Sequence, residues 1–202
     1  MTPPKSKNLT WQEGQVSRDD REKLLDQRGC TVWLTGLSGA GKSTIAVAAE
    51  RALADRGRLT YILDGDNVRH GLNGTLGFSP QDRAENVRRI GEVAKLFSDC
   101  GVIVFTSFIS PYRSGRDEVR QMIGMGDFIE VYVSADVETC EQRDVKGLYA
   151  KARAGEIRDF TGISAPYEEP EAPELVLETG GQTVDESVAT LVSYLEERRY
   201  LG

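Results

Sequence analysis

A glycine-rich loop between an apolar segment and a helical segment constrains the fold of this chain more than any other feature. The sequence G-L-S-G-A-G-K-S occupies residues 36–43 and directly follows V-W-L-T at 32–35, a run typical of a buried strand. Glycines let such a loop turn tightly, so that its backbone N–H groups and those of the following helix can surround phosphate oxygens. The pattern predicts a loop that binds a nucleoside triphosphate.

Two side chains of this loop have expected roles in nucleotide binding. Lys42 carries a positive charge that can reach the β- and γ-phosphates, and the Ser43 hydroxyl can ligate Mg²⁺. We therefore expect ATP binding with Mg²⁺ as the cofactor. The predicted ATP-binding residues of the loop are Gly36, Ser38, Gly39, Ala40, Gly41, Lys42, Ser43 and Thr44.

Strand-like and helix-like segments alternate along most of the chain. Apolar runs predict strands at residues 31–35, 59–63, 102–105, 128–133 and 175–177, and helical periodicity or charge predicts helices between them. This alternation favours an α/β fold of the P-loop NTPase type, a doubly wound parallel five-stranded sheet with helices on both faces. We expect a flexible N-terminal segment at 1–17 and a single kinase-like domain at 18–202. Ligands of such folds bind at the carboxyl ends of the strands.

Composition argues against several classes of partner. The net charge of −7 over 202 residues argues against a nucleic-acid-binding surface, because proteins that bind nucleic acids usually carry basic patches. No apolar run approaches the length of a membrane span. The three cysteines, Cys30, Cys100 and Cys140, show neither metal-ligand spacing nor a disulfide pattern. We predict a cytoplasmic protein that binds neither nucleic acid nor membrane and holds any anionic substrate through local clusters of Arg and Lys.

Two carboxylates follow the second predicted strand in the sequence L-D-G-D-N at residues 63–67. In phosphoryl transfer, one carboxylate can hold Mg²⁺ and another can accept the proton of a substrate hydroxyl. The spacing leaves open which of Asp64 and Asp66 does which; we assign Asp64 to the metal and Asp66 to the substrate. The third strand ends without an acidic residue, so the metal ligands we expect are Ser43 and Asp64.

Basic and aromatic residues then indicate an acceptor site. Arginines can bind anionic groups while an aromatic ring stacks on a base. The residues with this chemistry after the second strand are Arg69, Phe78, Arg83 and Asn86, and Phe108 and Ile109 after the third strand are further candidates for lining a nucleoside pocket.

A charged segment after the fourth strand predicts a lid at approximately residues 140–163. It contains Arg143, Lys146, Lys151 and Arg153, and these cations could close over a bound nucleotide, with Gly147 and Gly155 allowing the segment to hinge. Phe160, at the end of the segment, could form a second aromatic wall opposite Phe78. A solvated helical face is the alternative interpretation of such a charge run.

Several of these segments together resemble one family, adenylylsulfate kinase (APS kinase), over nearly the whole chain. The matching runs are GLSGAGKST at 36–44, LDGDNVRHGLN at 63–73, ENVRRIGEVAK at 85–95, FISPYR at 108–113, KGLY at 146–149 and FTGI at 160–163. The loop alone would indicate only a P-loop protein, whereas the run at 63–73 together with FISPYR and KGLY is highly specific to the family.

The resemblance implies transfer of the ATP γ-phosphoryl group to the 3′-hydroxyl of adenosine 5′-phosphosulfate. By position, Arg69, Arg83 and Asn86 would hold the phosphosulfate, Phe78 and Phe160 would clamp the adenine, and Lys146 would approach the phosphates. The resemblance extends the predicted substrate-binding set to Leu148 and Ser110; at the latter position some members were proposed to carry a phosphorylated serine. It also implies a homodimer and leaves open a functional link to a separate ATP sulfurylase.

Two other interpretations compete with this one. One is a kinase of the same fold that phosphorylates another small metabolite, and the other is a catalytically idle module that senses a sulfonucleotide and regulates a partner enzyme. A sensor could lose its catalytic residues, so the presence of Lys42, Ser43, Asp64 and Asp66 favours an enzyme.

Overall fold

The computed structural model describes residues 8–10, 12–144 and 146–202. The predicted flexible segment at 1–17 therefore lies partly outside the described residues. The strands are β1 (Cys30–Thr35), β2 (Thr60–Asp64), β3 (Ile103–Ser107), β4 (Phe128–Ser134) and β5 (Leu175–Glu178). The helices are α1 (Arg18–Leu25), α2 (Lys42–Ala54), α3 (Pro80–Asp99), α4 (Arg113–Ile123), α5 (Val137–Arg143), α6 (Leu148–Arg153) and α7 (Val184–Glu197), with a short 3₁₀ helix at Asn67–His70.

The five strands form one parallel sheet in the order β2-β3-β1-β4-β5, which confirms the predicted fold class. Because β1 lies in the centre, the loop that follows it opens between the carboxyl ends of β3 and β4. In the described part of the chain, no helix combines the length and the apolar character needed to cross a bilayer.

Alternate side chains of β1 contribute to two separate hydrophobic cores, one on each face of the sheet. Val32 and Leu34 pack into the core that includes Leu191 of α7. Trp33 lies in the opposite core with Val119 of α4, and its ring stacks on Phe108 with 6.0 Å between centroids. Burial of every β1 residue fixes the position of the loop at the end of the strand.

One local feature differs from the sequence-based expectation, because the 3₁₀ helix at Asn67–His70 was not predicted. The charged stretch after β4 contains the two short helices α5 and α6, and Asp144, which directly follows α5, caps α6. Its carboxylate accepts hydrogen bonds from the backbone N–H groups of Leu148, Tyr149 and Ala150.

A buried ion pair joins α4 to β4. Arg116 and Glu130 are 2% and 6% exposed, and the Arg116 Nε donates to Glu130 Oε1 at 2.6 Å. The same guanidinium donates to the backbone carbonyls of Ser110 and Glu168, both at 2.7 Å. Arg116 therefore ties the loop after β3 and the loop before β5 to the sheet.

We expect Arg116→Ala to lower the free energy of unfolding by about 3 kcal/mol, because the buried Glu130 carboxylate keeps only Arg120, at 3.1 Å, and the Ser110 and Glu168 carbonyls lose their donor. Arg51→Ala, which removes an exposed pair with Asp55 on α2, should cost less than about 0.5 kcal/mol. Urea denaturation monitored by circular dichroism measures both. If both variants lost the same small amount of unfolding free energy, the structural role assigned to the Arg116–Glu130 pair would be wrong.

Candidate functional site

The glycine-rich loop lies between β1 and α2, at the carboxyl edge of the sheet, and two of its glycines are required by geometry. A Cβ on Gly36 would lie 2.4 Å from the carbonyl oxygen of Val133 in β4. Gly41 has φ +101 and caps α2 in a left-handed conformation, which L side chains rarely adopt. The N–H groups in the first turn of α2 have no intrahelical acceptor and remain available to an anion.

Lys42 is buried at the start of α2, and its ammonium contacts the loop itself. Nζ donates to the carbonyl oxygens of Gly36 at 3.0 Å and Leu37 at 2.7 Å. Burial lowers the pKa of Lys42 to about 8. The side chain is therefore mainly charged at neutral pH and lies within the loop where phosphates would bind.

Ser43, Asp64 and Ser107 form a cluster of oxygen atoms beside the loop. The Ser43 hydroxyl donates to Asp64 Oδ2 at 2.7 Å and lies 2.9 Å from the hydroxyl of Ser107. Asp64 Oδ1 accepts from the backbone N–H of Asp66 at 2.9 Å, which fixes the orientation of the carboxylate. Sequence analysis missed Ser107, which lies opposite Asp64 in the register of β2 and β3.

This oxygen cluster fits Mg²⁺ by its chemistry. Mg²⁺ prefers oxygen ligands and is commonly held by one or two carboxylates together with substrate phosphates. Among residues 8–10, 12–144 and 146–202, no group of three or more His, Cys, Asp or Glu side chains could hold a metal ion. A bound Mg²⁺ would thus depend on Ser43, Asp64 and the nucleotide.

Asp66 and Lys146 form an ion pair across the site. Asp66 precedes the 3₁₀ helix, whereas Lys146 lies between α5 and α6 in the predicted lid, 80 positions further along the chain. Both side chains are more than half exposed. The structure therefore brings the tip of the predicted lid to the carboxylate that we assigned to the substrate.

A cluster of two arginines and one aromatic ring lies beside the 3₁₀ helix. The guanidinium carbons of Arg69 and Arg83 lie 4.2 Å and 5.8 Å from the ring centroid of Phe78, which is 62% exposed. Burial, together with the neighbouring charge of Arg83, lowers the pKa of Arg69. Two positive charges this close favour an anionic ligand, and the exposed ring offers a stacking surface.

Arg83 also connects the two aromatic residues predicted to clamp a base. It donates to the carbonyl oxygens of Phe78 at 2.9 Å and Asp159 at 2.8 Å, and to the hydroxyl of Thr161 at 3.2 Å. Phe160, which lies between Asp159 and Thr161 in the sequence, is 8% exposed. Its ring packs edge-on against the Tyr149 ring, with 5.0 Å between the centroids. Phe78 is thus open to a ligand, while most of Phe160 packs in the core.

Asn86 is buried on α3, where its Oδ1 accepts from Asn73 Nδ2 at 3.0 Å. Sequence analysis missed Asn73, although it ends the run at 63–73. Asn73 is fully buried, and its own Oδ1 has no hydrogen-bond donor within the described part of the chain. The pair joins the loop after the 3₁₀ helix to α3.

The segment after β3 contributes less to an open surface than the sequence suggested. Phe108 is 5% exposed, and Ile109 is only partly buried. The hydroxyl of the buried Ser110 accepts from Trp33 Nε1 at 3.1 Å and donates to Thr35 Oγ1 at 3.0 Å. In this conformation Phe108 and Ser110 belong to the interior, and their predicted contacts with substrate stay predictions.

The cationic side chains of the predicted lid contact different parts of the structure. Arg143 donates to the carbonyl oxygens of Gly39 at 3.3 Å and Thr179 at 2.6 Å. Arg153 pairs with Glu141 of α5 at 3.0 Å. Leu148 is half-buried and packs against the core. The base of the segment therefore docks on the glycine-rich loop, and its tip reaches Asp66 through Lys146.

Known proteins with a similar sequence include several adenylyl-sulfate kinases. The adenylyl-sulfate kinase of Staphylococcus carnosus is 54% identical over 197 residues, which cover 98% of this chain and 99% of that protein. A solved APS kinase of Mycobacterium tuberculosis, in complex with AMPPNP and APS, is 50% identical with a TM-score of 0.80 and covers 84% of this chain and 99% of that one.

The oligomeric state is given for a third relative. The APS kinase of Thiobacillus denitrificans, described as hexameric, is 37% identical with a TM-score of 0.66, and the match covers 88% of this chain and 30% of that one. The family model of adenylylsulphate kinase matches residues 28–178, which include the glycine-rich loop, the cluster of Arg69, Arg83 and Phe78, and the predicted lid. This chain belongs to the adenylylsulphate kinase family.

Proposed function

We propose that this chain transfers the γ-phosphoryl group of ATP to the 3′-hydroxyl of adenosine 5′-phosphosulfate, which yields 3′-phosphoadenosine 5′-phosphosulfate and ADP. The observation that carries the proposal is the juxtaposition, at one edge of the sheet, of a phosphate-binding loop and a separate arginine–phenylalanine cluster. The relative solved with both AMPPNP and APS supports this division into two nucleotide sites.

On the ATP side, the loop N–H groups and Lys42 hold the phosphates. Lys42 exchanges its contacts with the Gly36 and Leu37 carbonyls for phosphate oxygens. Ser43 and Asp64 would hold Mg²⁺, which supplies charge neutralisation at the β- and γ-phosphates. Arg143, already docked on Gly39, adds positive charge near the loop.

On the acceptor side, Arg69 and Arg83 bind the phosphosulfate and Phe78 stacks on the adenine, with Phe160 behind it. Asn86 orients the neighbouring polar groups. Asp66 accepts the proton of the 3′-hydroxyl as the oxygen attacks the γ-phosphorus in line with the leaving ADP oxygen. Lys146 releases Asp66 and turns to the phosphates, so that the carboxylate is free when charge develops in the transition state.

Direct transfer needs no covalent intermediate on the protein. The Ser110 hydroxyl lies in the interior, bonded to Trp33 and Thr35, and is therefore poorly placed to receive a phosphoryl group from ATP.

For the assembly, we propose a homodimer that works in the cytoplasm beside a separate ATP sulfurylase. Light scattering of the purified protein distinguishes a dimer from a hexamer.

The acceptor specificity can be measured by ADP release from purified protein with Mg-ATP. We expect turnover with adenosine 5′-phosphosulfate and much less with AMP, gluconate or shikimate, because only the first offers an anionic phosphosulfate to both arginines. The product should carry its new phosphate at the 3′ position. Turnover of another acceptor would indicate a sister kinase, and tight ATP binding without turnover would indicate a regulatory module.

Arg83→Ala should raise the KM for adenosine 5′-phosphosulfate by about 10- to 100-fold, the cost of a charge-assisted hydrogen bond, and leave the KM for ATP near its original value. Arg88→Ala is the matched control, since Arg88 lies on the same helix and pairs with Glu85 in solvent. A similar rise in both variants, or a rise in the KM for ATP alone, would contradict the assignment of Arg83.

The roles of the two carboxylates can be separated by isosteric variants. Asp66→Asn should lower kcat by about 10²- to 10⁴-fold, because it removes the proton acceptor, with the Mg²⁺ dependence unchanged. Asp64→Asn should raise the Mg²⁺ concentration needed for half-maximal rate. Steady-state kinetics over a Mg²⁺ titration checks both, and the opposite pattern would reverse the two assignments.

A further inference from the structure

Every backbone carbonyl of the glycine-rich loop from residue 36 to residue 40 accepts a hydrogen bond from a side chain. Lys42 donates to the carbonyls of Gly36 and Leu37, and Arg143 donates to that of Gly39. The remaining two carbonyls, those of Ser38 and Ala40, are held by side chains to which neither the sequence nor the proposed chemistry assigns a role. These are Tyr149 of α6 and Thr179, directly after β5.

Tyr149 is held rigidly where it meets the loop. Its side chain is 1% exposed, the ring packs edge-on against Phe160 at 5.0 Å, and the hydroxyl donates to the Ser38 carbonyl at 2.8 Å. The backbone N–H of Tyr149 is itself bonded to Asp144. Burial raises the pKa of the Tyr149 phenol, so the group keeps its proton and remains a hydrogen-bond donor.

Thr179 is equally fixed. Its hydroxyl donates to the Ala40 carbonyl at 2.7 Å, and the Ser134 carbonyl is a second, more distant acceptor at 3.1 Å. Its backbone N–H donates to the Ser134 carbonyl at 2.9 Å, and its own carbonyl accepts from Arg143 at 2.6 Å. Its side chain is 8% exposed. Thr179 thus connects the carboxyl end of β5 to the loop after β1, across β4.

The geometry of the peptide bond gives these two contacts a consequence for phosphate binding. A trans peptide is planar, so its C=O and the following N–H point in opposite directions. When Tyr149 holds the Ser38 carbonyl outward, the N–H of Gly39 must point to the other side of the loop. In the same way, Thr179 and the Ala40 carbonyl set the direction of the Gly41 N–H.

We propose that Tyr149 and Thr179 are positioning residues of the nucleotide site, which orient the N–H groups of Gly39 and Gly41 toward the phosphates of ATP. Without them, the glycine peptides can rotate, and a carbonyl dipole that turns inward repels the phosphate oxygens. The inference rests on the proposed function only for the identity of the nucleotide and does not depend on the acceptor.

The test is the affinity for Mg-ATP, measured by isothermal titration calorimetry without any acceptor. Tyr149→Phe and Thr179→Val remove one hydroxyl each and keep the shape of the side chain. Each should weaken ATP binding by about three- to tenfold, as expected for one hydrogen bond. Thr179→Ser keeps the hydroxyl and should bind like the original protein. Tyr61→Phe, at an exposed ring on β2, should also leave the affinity unchanged.

Two further measurements separate positioning from a general structural role. Positioning lowers the thermal midpoint by no more than a few degrees, the cost of one buried hydrogen bond, and leaves the KM for adenosine 5′-phosphosulfate at its original value. Loss of structure lowers the midpoint further and changes this KM together with the ATP affinity. The proposal is overturned by that common loss or by an unchanged ATP affinity in both variants. If the protein fails to phosphorylate adenosine 5′-phosphosulfate but the two variants bind ATP more weakly, only the acceptor assignment falls.

Discussion

The outward orientation of the loop carbonyls is the constraint on which the nucleotide site depends. A loop can surround an anion with N–H groups only if its carbonyl oxygens find donors elsewhere, since each peptide presents both on opposite sides. For Ser38, Gly39 and Ala40 the donors come from α6, α5 and the end of β5. Elements that surround the loop in space therefore determine what the loop can bind, and two of them, α5 and α6, belong to the predicted lid.

Charge is distributed to match two anionic ligands in an acidic protein. The chain has a net charge of −7, yet Lys42, Arg143 and Lys146 gather around the loop and Arg69 with Arg83 around Phe78. Asp66, which pairs with Lys146, interacts electrostatically with both Lys42 and Arg69. Local clusters of this kind act over a few ångströms and are less screened by salt than a long-range field would be. Affinity for each ligand then depends on the individual side chains.

Packing beneath the site keeps these clusters in place. The fully buried strand β1 separates two hydrophobic cores, and the Arg116–Glu130 pair ties the loops around Ser110 and Glu168 to the sheet. The Trp33–Ser110–Thr35 hydrogen bonds lie directly under the carboxyl edge. In this conformation Phe108 and Ser110 are buried and support the carboxyl edge from below, and their contacts with substrate stay predictions.

The sequence by itself determined the order of strands and helices, the phosphate-binding loop and the acidic pair after β2, because these depend on contiguous residues and local periodicity. The family followed from short runs of the same kind. Only the tertiary structure determined three contacts between residues far apart in the sequence. Tyr149 bonds to Ser38 across 111 positions, Thr179 to Ala40 across 139 positions, and Lys146 to Asp66 across 80 positions. Such contacts depend on the sheet order, which places β4 beside β1 and β5 beside β4, and local sequence patterns do not encode which strands become neighbours.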